Sequence, residues 1–210
     1  MARILVADDH PLFRDALRLM LSSGPNQHHI AETDSLPATL AWLNDHEEPD
    51  LLVLDLAMPG SAGLLGLQQI RRDWPALPVI VVSGSDQALI IAGSKELGAS
   101  GFCSKSAAPD ALRHALECVL AGELYFPELT HSAEHSALLH AMAQLQTLTP
   151  AQFEVAMRVS TGELNKTIAW DLGISEATVK AHLTTIFRKL GLHGRAQLVS
   201  LLSQLRLRPE

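Results

Sequence analysis

The sequence predicts an α/β domain of five parallel strands in the order 2-1-3-4-5, followed by an all-α domain of four helices in a helix-turn-helix layout. Three observations predict it. Short apolar runs alternate five times with amphipathic stretches over the first 120 residues. Two of those runs, Leu51-Leu52-Val53-Leu54 and Val79-Ile80-Val81-Val82, are unbroken, as strands covered on both faces must be. From Thr149 onward the pattern is helical, with a glycine-containing turn between a short helix and a longer one.

The elements follow in order. Strands are expected at Arg3–Ala7, His29–Thr33, Leu51–Leu56, Pro78–Ser83 and Gly101–Cys103. Helices are expected at Pro11–Ser22, Leu36–Asp45, Ala62–Asp73, Ala88–Leu97 and Ala108–Ala121. In the first helix Leu12, Ala16, Leu19 and Met20 share a face and are taken as its inner stripe. This domain spans residues 1–122. Gly122, Pro127 and the polar run Thr130–His135 mark a connector over 123–146, in which Leu138, Leu139, Met142 and Leu145 fit a short helix. The second domain spans 147–210. Thr149, Pro150 and Gln152 form a capping box at the start of its first helix, which Gly162 ends. Asn165 is expected to cap a helix to Leu172, and Ser175 one from Glu176 to Leu190. A last helix runs from Arg195 to Leu205.

Composition narrows the function. The balance of 47% hydrophobic and 19% charged residues is that of a globular protein. No apolar run is long enough to span a membrane, and the first apolar run is too short for a signal peptide. Two cysteines, Cys103 and Cys118, make neither a disulfide framework nor a metal-ligand spacing, which suits a reducing cytoplasm. Charge divides along the chain. Residues 1–125 hold 8 Lys/Arg against 16 Asp/Glu, whereas residues 147–210 hold 8 against 5. An acidic first half and a basic second half suggest different partners for each.

The polar residues of the first domain fall at strand ends, where open parallel sheets bind ligands. Asp8 and Asp9 follow the first strand, Asp55 ends the third, Ser83 ends the fourth and Lys105 follows the fifth. With the order 2-1-3-4-5, the first and third strands are neighbours and the three aspartates converge. Three carboxylates in one crevice repel each other, and a hard divalent cation such as Mg²⁺ relieves that while keeping waters free for a phosphate. A carboxylate can also attack a phosphoryl group to give an acyl phosphate, with the metal and a lysine stabilising charge on the transferring group. Taken singly, Asp8-Asp9 reads as a helix cap, Asp55 as a turn residue and Lys105 as a solvated charge. Their joint placement is what carries the chemistry.

These residues, with Met58-Pro59-Gly60 after Asp55, Gly84 after Ser83, and Phe102 before Lys105, resemble a CheY-like receiver domain of flavodoxin-like (βα)5 fold. The resemblance implies Asp55 as phosphoacceptor and Asp9 as a direct Mg²⁺ ligand. Asp8 acts mainly through water, and the Ala57 carbonyl completes the protein ligands. Ser83 and Phe102 match the switch pair of hydroxyl and aromatic ring. Gly84 stands where alanine is common and Cys103 where leucine is common; these departures suggest a looser loop and a redox-sensitive thiol.

In the third helix of the second domain, Val179, Leu183, Ile186 and Leu190 form the inner face. Thr178, Lys180, His182, Thr184, Thr185, Arg188 and Lys189 are expected outside, a polar and basic surface suited to the major groove, although a solvated helix face has the same pattern. The stretch from Leu148 through Lys189-Leu190-Gly191 resembles a LuxR-type helix-turn-helix, and the whole chain is similar to NarL/FixJ-type response regulators. That likeness implies Lys180, Ala181 and Thr184 at base edges, and Lys166, Thr178 and Arg188 near phosphates. It implies Leu198, Val199 and Leu202 on a dimer-forming helix. Ala151-Gln152-Phe153 departs from the charged residues usual there.

The expected function is phosphorylation-controlled transcription regulation rather than enzymatic turnover. The implied partners are a sensor histidine kinase, double-stranded DNA and a second copy of the chain. An aspartyl-phosphate phosphohydrolase also uses an aspartate at a strand end, but it places an acid/base aspartate two residues on, where Ala57 stands here. A phosphorylation-independent DNA binder with an inert receiver is the other alternative. His131, His135 and His140 are read as polar linker side chains in preference to a metal site.

Overall fold

The computed structural model describes residues 1–22, 28–61, 63–128, 140 and 142–205, in two compact units. In the first, β1 (Arg3–Ala7), α1 (Pro11–Ser22), β2 (His29–Thr33), α2 (Leu36–Asp45), β3 (Leu51–Leu54), α3 (Leu64–Asp73), β4 (Val79–Ser83), α4 (Ala88–Glu96), β5 (Gly101–Ser104) and α5 (Pro109–Leu120) alternate without interruption. The five strands form one sheet in the order β2-β1-β3-β4-β5, all parallel. Strands β3 and β4 are buried along their whole length, as their unbroken apolar runs require.

Successive strand residues alternate between faces. Ile4, Val6, Leu51, Val53, Ile80, Val82 and Cys103 build one core layer with Leu17 and Leu21 of α1 and Leu112, Ala115, Leu116 and Val119 of α5. Phe102, one residue before Cys103, turns to the opposite face and is fully buried.

Helix α1 bears out Met20 as an inner residue and corrects the rest of the expected stripe. Leu12 and Leu19 are 84% and 70% exposed and Ala16 is exposed too. The inner stripe is Phe13, Leu17, Met20 and Leu21, also spaced i, i+4, i+7 and i+8. Two apolar stripes compete on this helix. The buried one carries the larger side chains nearest the sheet.

The sheet gains a short edge beyond α5. Tyr125 bridges Gly101 in parallel: Phe102 N–H donates to Tyr125 C=O at 2.8 Å, and Tyr125 N–H donates to Ser100 C=O at 3.1 Å.

The second unit holds helical residues 142–145 and four helices, α6 (Pro150–Ser160), α7 (Asn165–Asp171), α8 (Glu176–Lys189) and α9 (Arg195–Leu205). Met142, Leu145 and Leu148 are buried, so part of the stretch read as connector packs with this unit. Leu138, Leu139, His131 and His135 lie outside the described residues. His140 Nε2 lies 3.1 Å from the Gln144 amide.

The capping box of α6 forms as its sequence requires: Gln152 N–H donates to Thr149 Oγ1, and Thr149 N–H donates to Gln152 Oε1. Gln152 also accepts from Lys189, and Phe153 is buried, so two of the three residues departing from the charged family pattern serve the domain's own packing, while Ala151 is exposed. Arg158 pairs with Glu154 one turn back on α6 at 2.9 Å and ties the helix to its neighbours through Glu163 at 3.3 Å and Asp171 at 2.8 Å.

Asn165 is the first residue of α7 rather than its cap. Leu164 holds the cap position, and the Asn165 side-chain Oδ1 accepts from Arg195 of α9 at 3.1 Å. The turn into α8 passes through Gly173 at φ +64°, a backbone conformation that glycine adopts without penalty.

Candidate functional site: an acidic pocket and an exposed helix

The register of the sheet brings the acidic residues together. Ala7 pairs with Leu54, so the next residues, Asp8 and Asp55, leave adjacent strands side by side. Asp55 N–H donates to Ala7 C=O at 2.8 Å, which fixes this end of β3 against β1. On the far side Ser83 pairs with Ser104, and Lys105 N–H donates to Ser83 C=O at 2.9 Å. Strand order thus delivers residues from 8 to 105 to one edge.

Asp55 is 1% exposed and Asp8 2%. Two buried carboxylates need compensation, and Lys105 supplies it. Its Nζ lies 2.8 Å from Asp55 Oδ2 and 2.7 Å from Asp8 Oδ2, and 5.1 Å from the centre of the Phe13 ring. Burial alone lowers the lysine pKa, but hydrogen bonds and charge from Asp55 and Asp8 outweigh it and hold the ammonium above its ordinary value. Asp55 Oδ1 accepts the Ala57 N–H at 3.0 Å, which locks the carboxylate plane in an Asx turn. Asp8 Oδ1 likewise accepts the His10 N–H at 2.8 Å.

His10 is the residue that the sequence reading passed over. Its Nδ1 stands 2.8 Å from Asp9 Oδ1, 3.1 Å from Asp8 Oδ1, 4.0 Å from Asp55 Oδ2 and 3.3 Å from Lys105 Nζ. The available signal was its place directly after the acidic pair.

Asp8, Asp9, His10 and Asp55 each offer a ligand atom, and these atoms lie within 4.8 Å of one another. Three of the four donors are carboxylate oxygens, a set that fits a hard divalent cation. Ser83 is buried beside the pocket, its Oγ accepting the Ser85 N–H at 3.2 Å, and Phe102 lies beneath in the core. Gly84 has open space where a Cβ would stand. Burial raises the Cys103 thiol pKa, so the reactive thiolate is disfavoured.

In the second unit α8 starts at Ser175, whose Oγ accepts the Thr178 N–H at 3.1 Å. Val179, Leu183, Ile186 and Leu190 are buried, which leaves Thr178, Lys180, Ala181, Thr184 and Arg188 exposed. Lys180, Thr184 and Arg188 follow one another at intervals of four and form a row along the helix. Lys166 is exposed on α7.

Lys189 does not join that surface. Its Nζ reaches back to Thr147 C=O at 2.6 Å and Gln152 Oε1 at 2.9 Å. Leu198 and Leu202, expected on a dimer face, are both 0% exposed and belong to the core of their own domain. At their i, i+4 spacing they form the inner stripe of α9, and Val199 is half-buried beside them.

Comparison with known proteins agrees with both halves. Residues 4–117 match the response regulator receiver domain, and residues 146–202 match the bacterial regulatory proteins of the luxR family. The chain is 38% identical over 209 residues to the glycerol metabolism activator of Pseudomonas putida, covering 95% of this chain and 94% of that one. It is 30% identical to the nitrate/nitrite response regulator protein NarP of Escherichia coli, covering 97% and 95%. Among solved structures it resembles RcsB of Salmonella enterica serovar Typhimurium, bound to a promoter with the phosphomimetic BeF3⁻. That TM-score is 0.57 at 27% identity, over 97% of this chain and 98% of the other. With an acidic pocket on a 2-1-3-4-5 sheet and a luxR-type helical unit in one polypeptide, the chain belongs to the response regulators that join a receiver domain to a luxR-type regulatory domain.

Proposed function

We propose that this protein is a DNA-binding response regulator switched by phosphorylation of Asp55. The observation that carries the reading is the Lys105 ammonium shared between Asp55 and Asp8 at the mouth of a buried carboxylate pocket. The donor is a sensor histidine kinase. An oxygen of Asp55 forms the new bond to phosphorus while the bond from phosphorus to the kinase's histidine nitrogen breaks. Lys105 stabilises the charge on the transferred group, and the Ser83 hydroxyl donates to one of its oxygens. Asp8, Asp9, Asp55 and the Ala57 carbonyl would hold Mg²⁺, which would supply neutralising charge for the phosphoryl oxygens. Phe102 and Ser83 act as the switch pair.

The receiver covers residues 1–122, the linker 123–146 and the DNA-binding domain 147–210. Lys180, Ala181 and Thr184 face base edges, and Lys166, Thr178 and Arg188 face phosphates. Relatives support this half: solved structures include two RcsB dimers bound to two parallel DNAs. The active form is a homodimer on double-stranded DNA, and its place is the cytoplasm. Among the described residues no helix is long and apolar enough to cross a membrane.

The test is phosphoryl incorporation from a small phosphodonor, read by intact mass, in the native chain and in Asp55→Asn. Incorporation is expected only in the native chain, and its persistence in Asp55→Asn overturns the assignment. Operator affinity measured with and without beryllofluoride then decides whether phosphorylation controls binding. Equal affinities favour an inert receiver.

A further inference from the structure

The acidic pocket contains a nitrogen donor as well as oxygens. His10 leaves the end of β1 directly after Asp8 and Asp9, and its side chain is 62% exposed, so the ring reaches the carboxylates from the solvent side. The spacing of the donor atoms matters more than their nearness. Around an octahedral cation with bonds of about 2.1 Å, neighbouring ligand atoms lie about 3.0 Å apart and opposite ones about 4.2 Å. Nδ1 of His10 lies 2.8 Å from Asp9 Oδ1 and 3.1 Å from Asp8 Oδ1, which are neighbour spacings, and 4.0 Å from Asp55 Oδ2, which is close to an opposite spacing. The Lys105 ammonium, 3.3 Å from Nδ1 and 2.8 Å from Asp55 Oδ2, stands beside this last pair, so an entering ion displaces it and takes over its compensation of the carboxylates.

We propose that His10 is a nitrogen ligand of this pocket, and that it gives the site a preference for imidazole-binding divalent ions such as Zn²⁺ that the carboxylates alone would not confer. The inference rests on the metal pocket proposed above and deepens it. Carboxylates suit Mg²⁺, whereas imidazole suits the later transition ions. Removing the ring therefore affects the two kinds of ion unequally. The Asx turn from His10 N–H to Asp8 Oδ1 holds the backbone of residue 10 in place, so ring and carboxylates are presented together.

The test titrates the full chain with MgCl₂ and, separately, with ZnCl₂, followed by NMR at the backbone amides of Asp55 and Ala57. Reading the pocket's own amides keeps zinc bound elsewhere, on a chain with ten histidines, from counting. His10→Gln is expected to weaken Zn²⁺ at these amides about tenfold or more, and Mg²⁺ less than about twofold. In the native chain labelled with ¹⁵N-histidine, Zn²⁺ should shift the His10 Nδ1 resonance at the same concentrations. Equal loss of both ions, or no loss of either, overturns the ligand role. Asp9→Asn separates the two layers of the argument: if it leaves both affinities intact, the metal pocket itself is wrong.

Discussion

Lys105 stands fifty residues beyond Asp55 in the chain, yet its ammonium donates to the Asp55 carboxylate at 2.8 Å. The contact depends on β3, β4 and β5 lying side by side in that order, so it reports on the fold as well as on the chemistry.

Removing this ammonium leaves two buried carboxylates facing each other. Lys105→Met is expected to destabilise the first domain by about 3 kcal/mol in EDTA. Mg²⁺ should restore part of that loss by taking over the compensation. Thermal unfolding with and without Mg²⁺ checks it, and a variant as stable as the native chain in EDTA would contradict the pairing.

The same contact fixes a pH dependence. The Lys105 pKa is raised in the folded state, so the proton is held more tightly there than in the unfolded chain. Its stabilisation is complete below the ordinary lysine value of about 10.4 and disappears as pH rises through the higher folded value. A ¹⁵N titration of the Lys105 Nζ resonance should give a midpoint above the ordinary lysine value.

The two stripes of α1 predict opposite outcomes. Leu17→Ala removes a buried side chain and should cost about 2–5 kcal/mol. Leu12→Ala alters an exposed one and should stay within about 0.5 kcal/mol. Urea unfolding of the two variants distinguishes the stripes.

In α9, Leu202→Ala should destabilise the second domain by about 2–5 kcal/mol, because the side chain is packed within it. If the variant instead keeps its stability and only loses self-association in sedimentation, Leu202 belongs to an interface and its assignment to the core fails.

On the exposed face of α8, Lys180→Ala should weaken DNA binding and relax sequence preference at the base it faces, a loss of about 1–3 kcal/mol on the specific site. Retained sequence preference with a slope of log affinity against log salt lowered by about 1 would move Lys180 from base to backbone contact. Fluorescence anisotropy over a salt series measures both.

The sheet and its acidic edge were legible because two-sided burial leaves unbroken apolar runs and because strand ends are where polar residues gather. Leu51–Leu54 and Val79–Ser83 show the first effect, and Asp8, Asp55 and Lys105 the second. The inner face of α8 was legible from Val179, Leu183, Ile186 and Leu190, because a single apolar stripe leaves no choice. Helix α1 was misread because it carries two stripes, and only packing selects between them. Leu198 and Leu202 were misplaced because an i, i+4 apolar pair looks the same whether it meets its own domain or a partner. His10 and Lys189 were missed or misdirected because a side chain's reach across elements leaves no periodic trace.

Tyr125 gives the first domain an exit that shares a hydrogen bond with Phe102, a fully buried residue of the edge strand β5. The Phe102 amide is held by the Tyr125 carbonyl, and the Tyr125 amide by Ser100. The polypeptide therefore departs from the sheet as an added edge of β5, not as a free tether. Any rearrangement that tilts or slides β5 must carry residue 125 with it, and so re-aims the outgoing backbone at its point of departure.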